Sequence, residues 1–223
     1  MSPEMNDPLC VIVGMGPGMG LAIAKRFAKE GFAIAQIARR MEALEKFNKQ
    51  LSQYKVPVGS YPADIADFRK LKDTFKKIRK DLGDAEILIF NASVLNPASP
   101  TALKVEDLMH ELKVNVASAL VAAQQVIPHM KTKKRGKIFF TGGGLALKPY
   151  HEFTSLSLGK AAIRSLSICL SQELNDFGIH ISTITINGMI EKGTHFDPDK
   201  IAKEYWRLYS QNSGKQEIEI VYK

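Results

Sequence analysis

Leu9-Cys10-Val11-Ile12-Val13-Gly14-Met15-Gly16-Pro17-Gly18-Met19-Gly20-Leu21 is the stretch that decides how the rest of the chain is read. An apolar run enters a turn with glycine at every second position, and a helix-length amphipathic segment follows. A short run without polar residues suits a strand buried on both faces. The glycines let the chain turn tightly and let a ligand approach the backbone, and the first amides of the next helix have no partner within it. Together these features suit a diphosphate held at a helix N-terminus. The alternative is a turn that only packs strand against helix.

Outward from this turn the same alternation continues to the end of the chain. Strands are expected at Leu9–Val13, Ala33–Ala38, Val56–Pro62, Ile87–Asn91, Lys137–Thr141, His180–Ile186 and Glu217–Tyr222. Helices are expected at about Gly18–Glu30, Met41–Tyr54, Asp67–Leu82, Val105–Lys131, Thr154–Phe177 and Pro198–Gln211. In the third of these, Phe68, Leu71, Phe75 and Ile78 recur at helical spacing while Lys70, Lys72, Lys76 and Lys77 face away. Strands alternating with helices predict an α/β fold, a Rossmann-type doubly wound parallel sheet of about seven strands with helices on both faces. Neither a repeat nor a dividing linker interrupts it, so residues 1–223 read as one nucleotide-binding domain. The irregular stretches Ala92–Thr101, Gly142–Phe153 and Asn187–Asp197 each follow a strand's C-terminal end, the edge where open parallel sheets bind ligands.

Composition narrows the class. The chain has 223 residues and a formal charge of +8. The basic run Lys131, Lys133, Lys134, Arg135 and Lys137 reads as a solvated turn, since no nucleic-acid motif or aromatic stacking pattern accompanies it. Cys10 and Cys169 lack metal-ligand or disulfide spacing, so no metal site is expected and a reducing cytoplasm is the simplest compartment. Met1–Pro8 lacks the basic and apolar regions of a secretory signal, and no apolar run could span a bilayer.

The second strand ends Ala38-Arg39-Arg40, where an NAD-binding domain usually carries an acidic residue for the ribose hydroxyl. Planar, permanently charged guanidiniums suit a ribose phosphate, which favours NADP(H) over NAD(H). Arg40 is the more dispensable of the two and can equally point to water.

From about Leu9 to Ile190 the chain resembles the short-chain dehydrogenase/reductase family. The spacing Gly14-xxx-Gly18-x-Gly20 matches that family's turn, with Val13 in place of its threonine. Asp64-Ile65 resembles its adenine-contacting pair, and Asn91-Ala92-Ser93 its asparagine-alanine-glycine motif. Asn115 matches the helix asparagine that the resemblance implies holds a water in the proton relay. Lys160-Ala-Ala continues the active-site helix, with Lys160 implied to contact the nicotinamide ribose. Asn187-Gly188-Met-Ile190 resembles the loop lining the nicotinamide side, with asparagine for proline. The resemblance thus implies cofactor binding by Gly14, Gly16, Pro17, Gly18, Met19, Gly20, Arg39, Arg40, Asp64, Ile65, Asn91, Ala92, Lys160, Gly188 and Ile190, and catalysis by Lys160 and Asn115.

Two departures fall on the chemistry. Counting back from Lys160 puts Leu156 where the family's tyrosine stands, and counting further puts Gly143 at or near its serine. A positioned general acid is worth about two to four decades in rate, or ~3–5 kcal/mol. Carbonyl or alcohol redox chemistry is therefore expected to be weak or altered, with a non-catalytic dinucleotide sensor or partner-binding protein as the alternative. Ser155 and Ser157 point about 100° away from Leu156 on a helix. Thr141 could offer a hydroxyl, and Tyr150, in the loop entering the helix, is a speculative substitute donor that reads more readily as a loop anchor after Pro149. Lys160 and Asn115 could each persist for cofactor binding or helix packing alone.

Past Ile190 a short lid region, about 191–216, is expected, with Tyr205, Trp206 and Tyr209 either walling a pocket or packing a helix. The segments Val105–Lys131 and Thr154–Phe177 resemble the helices that pair across the family's dimer axis, which implies a homodimer or homotetramer.

Overall fold

A computed structural model describes residues 7–212 and 216–223. The expectation for Met1–Asn6, and for Ser213–Lys215 within the lid region, lies outside these described residues.

Seven parallel strands form one sheet in the order β3-β2-β1-β4-β5-β6-β7: β1 Leu9–Val13, β2 Ala33–Ala38, β3 Val58–Pro62, β4 Ala85–Phe90, β5 Gly136–Gly143, β6 Ile179–Ile186 and β7 Glu219–Tyr222. The helices are α1 Met19–Lys29, α2 Met41–Leu51, α3 Phe68–Leu82, α4 Val105–Leu112, α5 Ser118–Lys133, α6 Thr154–Leu174 and α7 Pro198–Tyr209. This is the expected Rossmann-like architecture.

Side-chain alternation along the strands builds the two faces. Leu9, Val11 and Val13 of β1 join the core beneath α3, α5 and α6, with Phe75, Ile78, Val126, Ile163 and Leu174. Cys10 and Ile12 point the other way, to the core beneath α1, α2 and α7, with Ile23, Phe27, Leu44, Ile201 and Leu208. Phe27 is fully buried and meets Phe32, Trp206 and Tyr209 edge to face. Truncating a ring so enclosed costs about 3–5 kcal/mol. These contacts hold α7 against α1, so the aromatics in the region expected as a lid pack the core. Pro198 opens α7, and the Asp197 carboxylate accepts the Asp199 amide at 2.9 Å as its cap.

The continuous helix expected over Val105–Lys131 is broken by a π-helical turn at Lys113–Ala117. The wider turn presents Asn115 to the backbone of Val94, whose N–H donates to Oδ1 at 2.7 Å and whose carbonyl accepts from Nδ2 at 3.1 Å. This extra residue fastens the loop after β4 to the helix layer, a local demand that apolar periodicity does not reveal.

The basic run is partly neutralised on the protein itself. Lys131 pairs with Glu173 at 3.2 Å and Arg135 with Glu86 at 2.5 Å. Lys137 donates to the Tyr209 carbonyl at the end of α7. Among the described residues no helix is long and apolar enough to cross a membrane.

Candidate functional site

β1 and β4 are neighbours whose outgoing connections leave toward opposite ends of the sheet, so a crevice opens at their C-terminal ends. Gly14 ends β1 there. Its φ is +89°, its N–H donates to the Ile37 carbonyl at 3.0 Å, and a Cβ would fall on the backbone of Ala92. Only glycine fits that place. At Gly16 and Gly18, by contrast, an added Cβ would meet nothing within 4 Å, so empty space lies beside them. Gly20 packs closely over Met15, letting α1 approach the turn. Gly18 occupies the N-cap of α1 without a side-chain cap, which leaves first-turn amides open for an anion.

Two cavities flank this turn. The first, about 390 Å³, is lined by Gly14, Met15, Ala38, Arg39, Asp64, Ile65, Asn91, Ala92, Ser93 and His110, among others. The second, about 710 Å³, is lined by Gly18, Met19, Asn91, Ser93, Thr141, Gly143, Leu156, Lys160, Gly188 and Ile190, with Leu95, Leu145 and Lys148 further out. Asn91 and Ser93 belong to both. Of the sequence-derived site residues, the structure brings all but Gly16, Pro17, Gly20, Arg40, Asn115 and Tyr150 to these linings. Arg40 is the exposed N-cap residue of α2, while Arg39 faces the first cavity. Asp64 turns one carboxylate oxygen inward to the Ala66 amide at 2.9 Å.

A directed hydrogen-bond chain forms the floor between the cavities. The Thr141 hydroxyl donates to Asn91 Oδ1 at 3.0 Å, and Asn91 Nδ2 donates to the Gly14 carbonyl at 2.9 Å. With its proton committed, Thr141 Oγ1 is left to accept from the Tyr205 hydroxyl at 2.7 Å. Tyr205 is fully buried, and burial pushes its phenol well above the usual range. A residue of α7 thus reaches the glycine turn through two side chains. Sequence reading missed this role, since Tyr205 carries only the signature of an apolar helix face.

Lys160 extends from α6 to the same floor, where Nζ donates to the Thr141 carbonyl at 2.8 Å. Burial without a compensating carboxylate lowers its pKa to about 8. Leu156 stands one turn earlier on the helix, 7 % exposed. Gly143 is extended (φ −162°, ψ 151°), and a Cβ there would lie 3.4 Å from Lys160 Cε, ordinary contact. Tyr150 is exposed outside the cavity, its ring beside His151 and Phe153 and its N–H donating to Ser157 Oγ at 3.3 Å.

Comparison with known proteins agrees with this arrangement. The short chain dehydrogenase family profile matches residues 9–199. The chain is 25% identical over 214 residues to 2,3-dihydro-2,3-dihydroxybenzoate dehydrogenase of Bacillus subtilis (strain 168), covering 96% of this chain and 78% of that protein. It is 30% identical over 179 residues to "inactive hydroxysteroid dehydrogenase-like protein 1" of Pongo abelii, covering 78% of this chain and 53% of that one. Among solved structures, a metagenomic short-chain oxidoreductase in complex with NADP superposes with a TM-score of 0.89 at 20% identity, over 96% of each chain.

Proposed function

The chain belongs to the short-chain dehydrogenase/reductase family, and from that premise we propose that it binds NADP(H) and performs weak or altered carbonyl or alcohol redox chemistry. The observation that carries the cofactor half is the cradle at Gly14–Gly20, with empty space beside Gly16 and Gly18 and Arg39 on the rim of the adjoining cavity. The solved relative that superposes over 96% of the chain holds NADP, which supports the same choice.

A bound nicotinamide would supply or accept the hydride. Arg39 would hold the ribose phosphate as a fixed cation and Asp64 and Ile65 would border the adenine end, above the floor that Asn91 and Thr141 form. Lys160 would offer an ammonium to the ribose hydroxyls. Leu156 has no proton to give, Gly143 has no hydroxyl to polarise an oxygen, and the Thr141 proton is committed to Asn91. Lys160 and Lys148 are the titratable side chains of the second cavity's lining. Tyr150 would have to leave its outer position to serve. Carbonyl turnover is correspondingly slow, short of a donor worth about two to four decades.

The same Leu156 and Gly143 favour a second reading, a non-catalytic dinucleotide sensor. A homodimer or homotetramer paired through α4, α5 and α6 is supported by the apolar side chains of Val105, Met109, Leu120 and Leu158, which these helices expose. The free thiols of Cys10 and Cys169 suit a reducing cytoplasm.

Thermal shift with NADPH and NADH tests the reading. Stabilisation by NADPH at lower concentration than NADH is expected, and stabilisation by neither would sink it. A screen of NADPH oxidation over ketones, aldehydes and quinones then separates the two readings. Turnover abolished by Lys160→Ala would refute the sensor.

A further inference from the structure

We propose that the outer end of the second cavity takes an apolar molecule bearing an anionic head group, with Lys148 as its counter-ion; this names a ligand class for the site and rests on the dinucleotide reading only in assigning the inner end to the cofactor.

The apolar half of the argument comes from convergence. Leu95 follows β4, Leu145 follows β5, Leu156 lies on α6, and Ile186 and Ile190 end and follow β6, yet all line one space of about 710 Å³. At its mouth Leu95 is 53% exposed and Ile190 42% exposed. Their loop neighbourhoods add Leu147, next to Lys148, at 44% and Met189, between Gly188 and Ile190, at 82%. A single exposed leucine is ordinary, but five large apolar side chains from separate elements lining one space, with Leu95 and Ile190 exposed, mark a binding surface. A small polar ligand would leave them in water.

The anionic half comes from charge. Among the described residues the lining contains no aspartate or glutamate; its charged groups are Lys148 and Lys160. Lys160 is engaged at the inner end by the Thr141 carbonyl. Lys148 is exposed, and among the described residues it has no ion-pair partner. Glu191 and Lys192, just beyond Ile190, carry opposite charges and leave that balance unchanged. A carboxylate or phosphate at the mouth therefore meets a cation with no competing acid in the lining.

Calorimetric titration with decanoate, decan-1-ol and hexanoate, each with and without saturating NADPH, tests this. Decanoate should bind more than about tenfold tighter than hexanoate, since each buried methylene tightens binding about three- to fourfold. It should bind about fivefold tighter than decan-1-ol, the upper range for a partly exposed ion pair. Lys148→Met should bring decanoate to the level of decan-1-ol. Leu95→Asn, at an exposed position that keeps the fold, should shrink the dependence on chain length. Equal affinity for decanoate and decan-1-ol, or for decanoate and hexanoate, would overturn the proposal. If NADPH binds and decanoate does not, the ligand class falls while the cofactor reading stands; decanoate binding to a protein that ignores NADPH gives the reverse.

Discussion

The cavity beside β1–β3 and the cavity beside β5–β6 share Asn91 and Ser93, but they are built from different materials. The first uses backbone geometry and a guanidinium: a glycine whose Cβ has no room, with Arg39 and Asp64 in the same lining, while the uncapped start of α1 at Gly18 and Met19 opens on the second. The second depends on a few side-chain atoms near one point, and at that point it offers Leu156, Gly143 and a partly desolvated Lys160. On the proposed reading, this contrast is how dinucleotide binding and carbonyl chemistry come apart. Leu156 is buried and disturbs no strand or turn, and it carries no hydroxyl with which to act as a general acid.

The sharpest attempt to break this comparison is to restore the second cavity. Gly143→Ser with Leu156→Tyr should raise NADPH-dependent carbonyl reduction by about two to four decades, measured as NADPH oxidation. The extended backbone of Gly143 and the free volume beyond Leu156 accommodate both changes. No gain would show that the defect lies elsewhere.

Damage to the first cavity is the converse. Gly14→Ala forces a side chain onto the Ala92 backbone at φ +89°, so a loss of several kcal/mol is expected, with dinucleotide binding abolished. Chemical denaturation and thermal shift with NADPH check both parts. Arg39→Asp is gentler: the fold stays intact while the NADPH-to-NADH affinity ratio falls about tenfold or more. An unchanged ratio would remove Arg39 from the phosphate.

A pH series links the two halves. Lys160 is protonated below about 8 and neutral above it, so NADPH affinity should weaken as pH rises through that value, and Lys160→Met should flatten the curve. Stability of the free protein moves oppositely. Between about 8 and the ordinary lysine value the unfolded chain holds the extra proton, so this residue's contribution rises with pH. The smallest effect is expected for Tyr205→Phe, which keeps the ring and removes one buried hydrogen bond. A stability loss of about 1 kcal/mol should come with few-fold weaker NADPH binding. Lost stability with unchanged binding would make the contact structural only.

Much of this was legible before any coordinates. Buried strands need apolar residues on both faces and helices need apolar residues every third or fourth position, so β1, α3 and the order of elements follow from local pattern. The place of Gly14 and Arg39 at one cavity was readable for a similar reason, since each ends a neighbouring strand in the chain's own order. Lys148, Leu95, His110 and Tyr205 gave no such signal. Each is ordinary in its own segment and reaches a cavity's lining or floor only when loops and helices distant in the chain meet at one sheet edge.

The sequence by itself determined the α/β architecture, the glycine-rich turn after β1 and the absence of a hydroxyl at position 156, because these depend on residue type and local spacing. Only the tertiary structure decided that Asn115 pins Val94 through a π-helical turn, that Tyr205 reaches Gly14 through Thr141 and Asn91, and that Tyr150 lies outside the cavity. Those are contacts between segments as much as 191 residues apart, from Gly14 to Tyr205, and their geometry is set by how packed layers bring side chains within about 3 Å of one another.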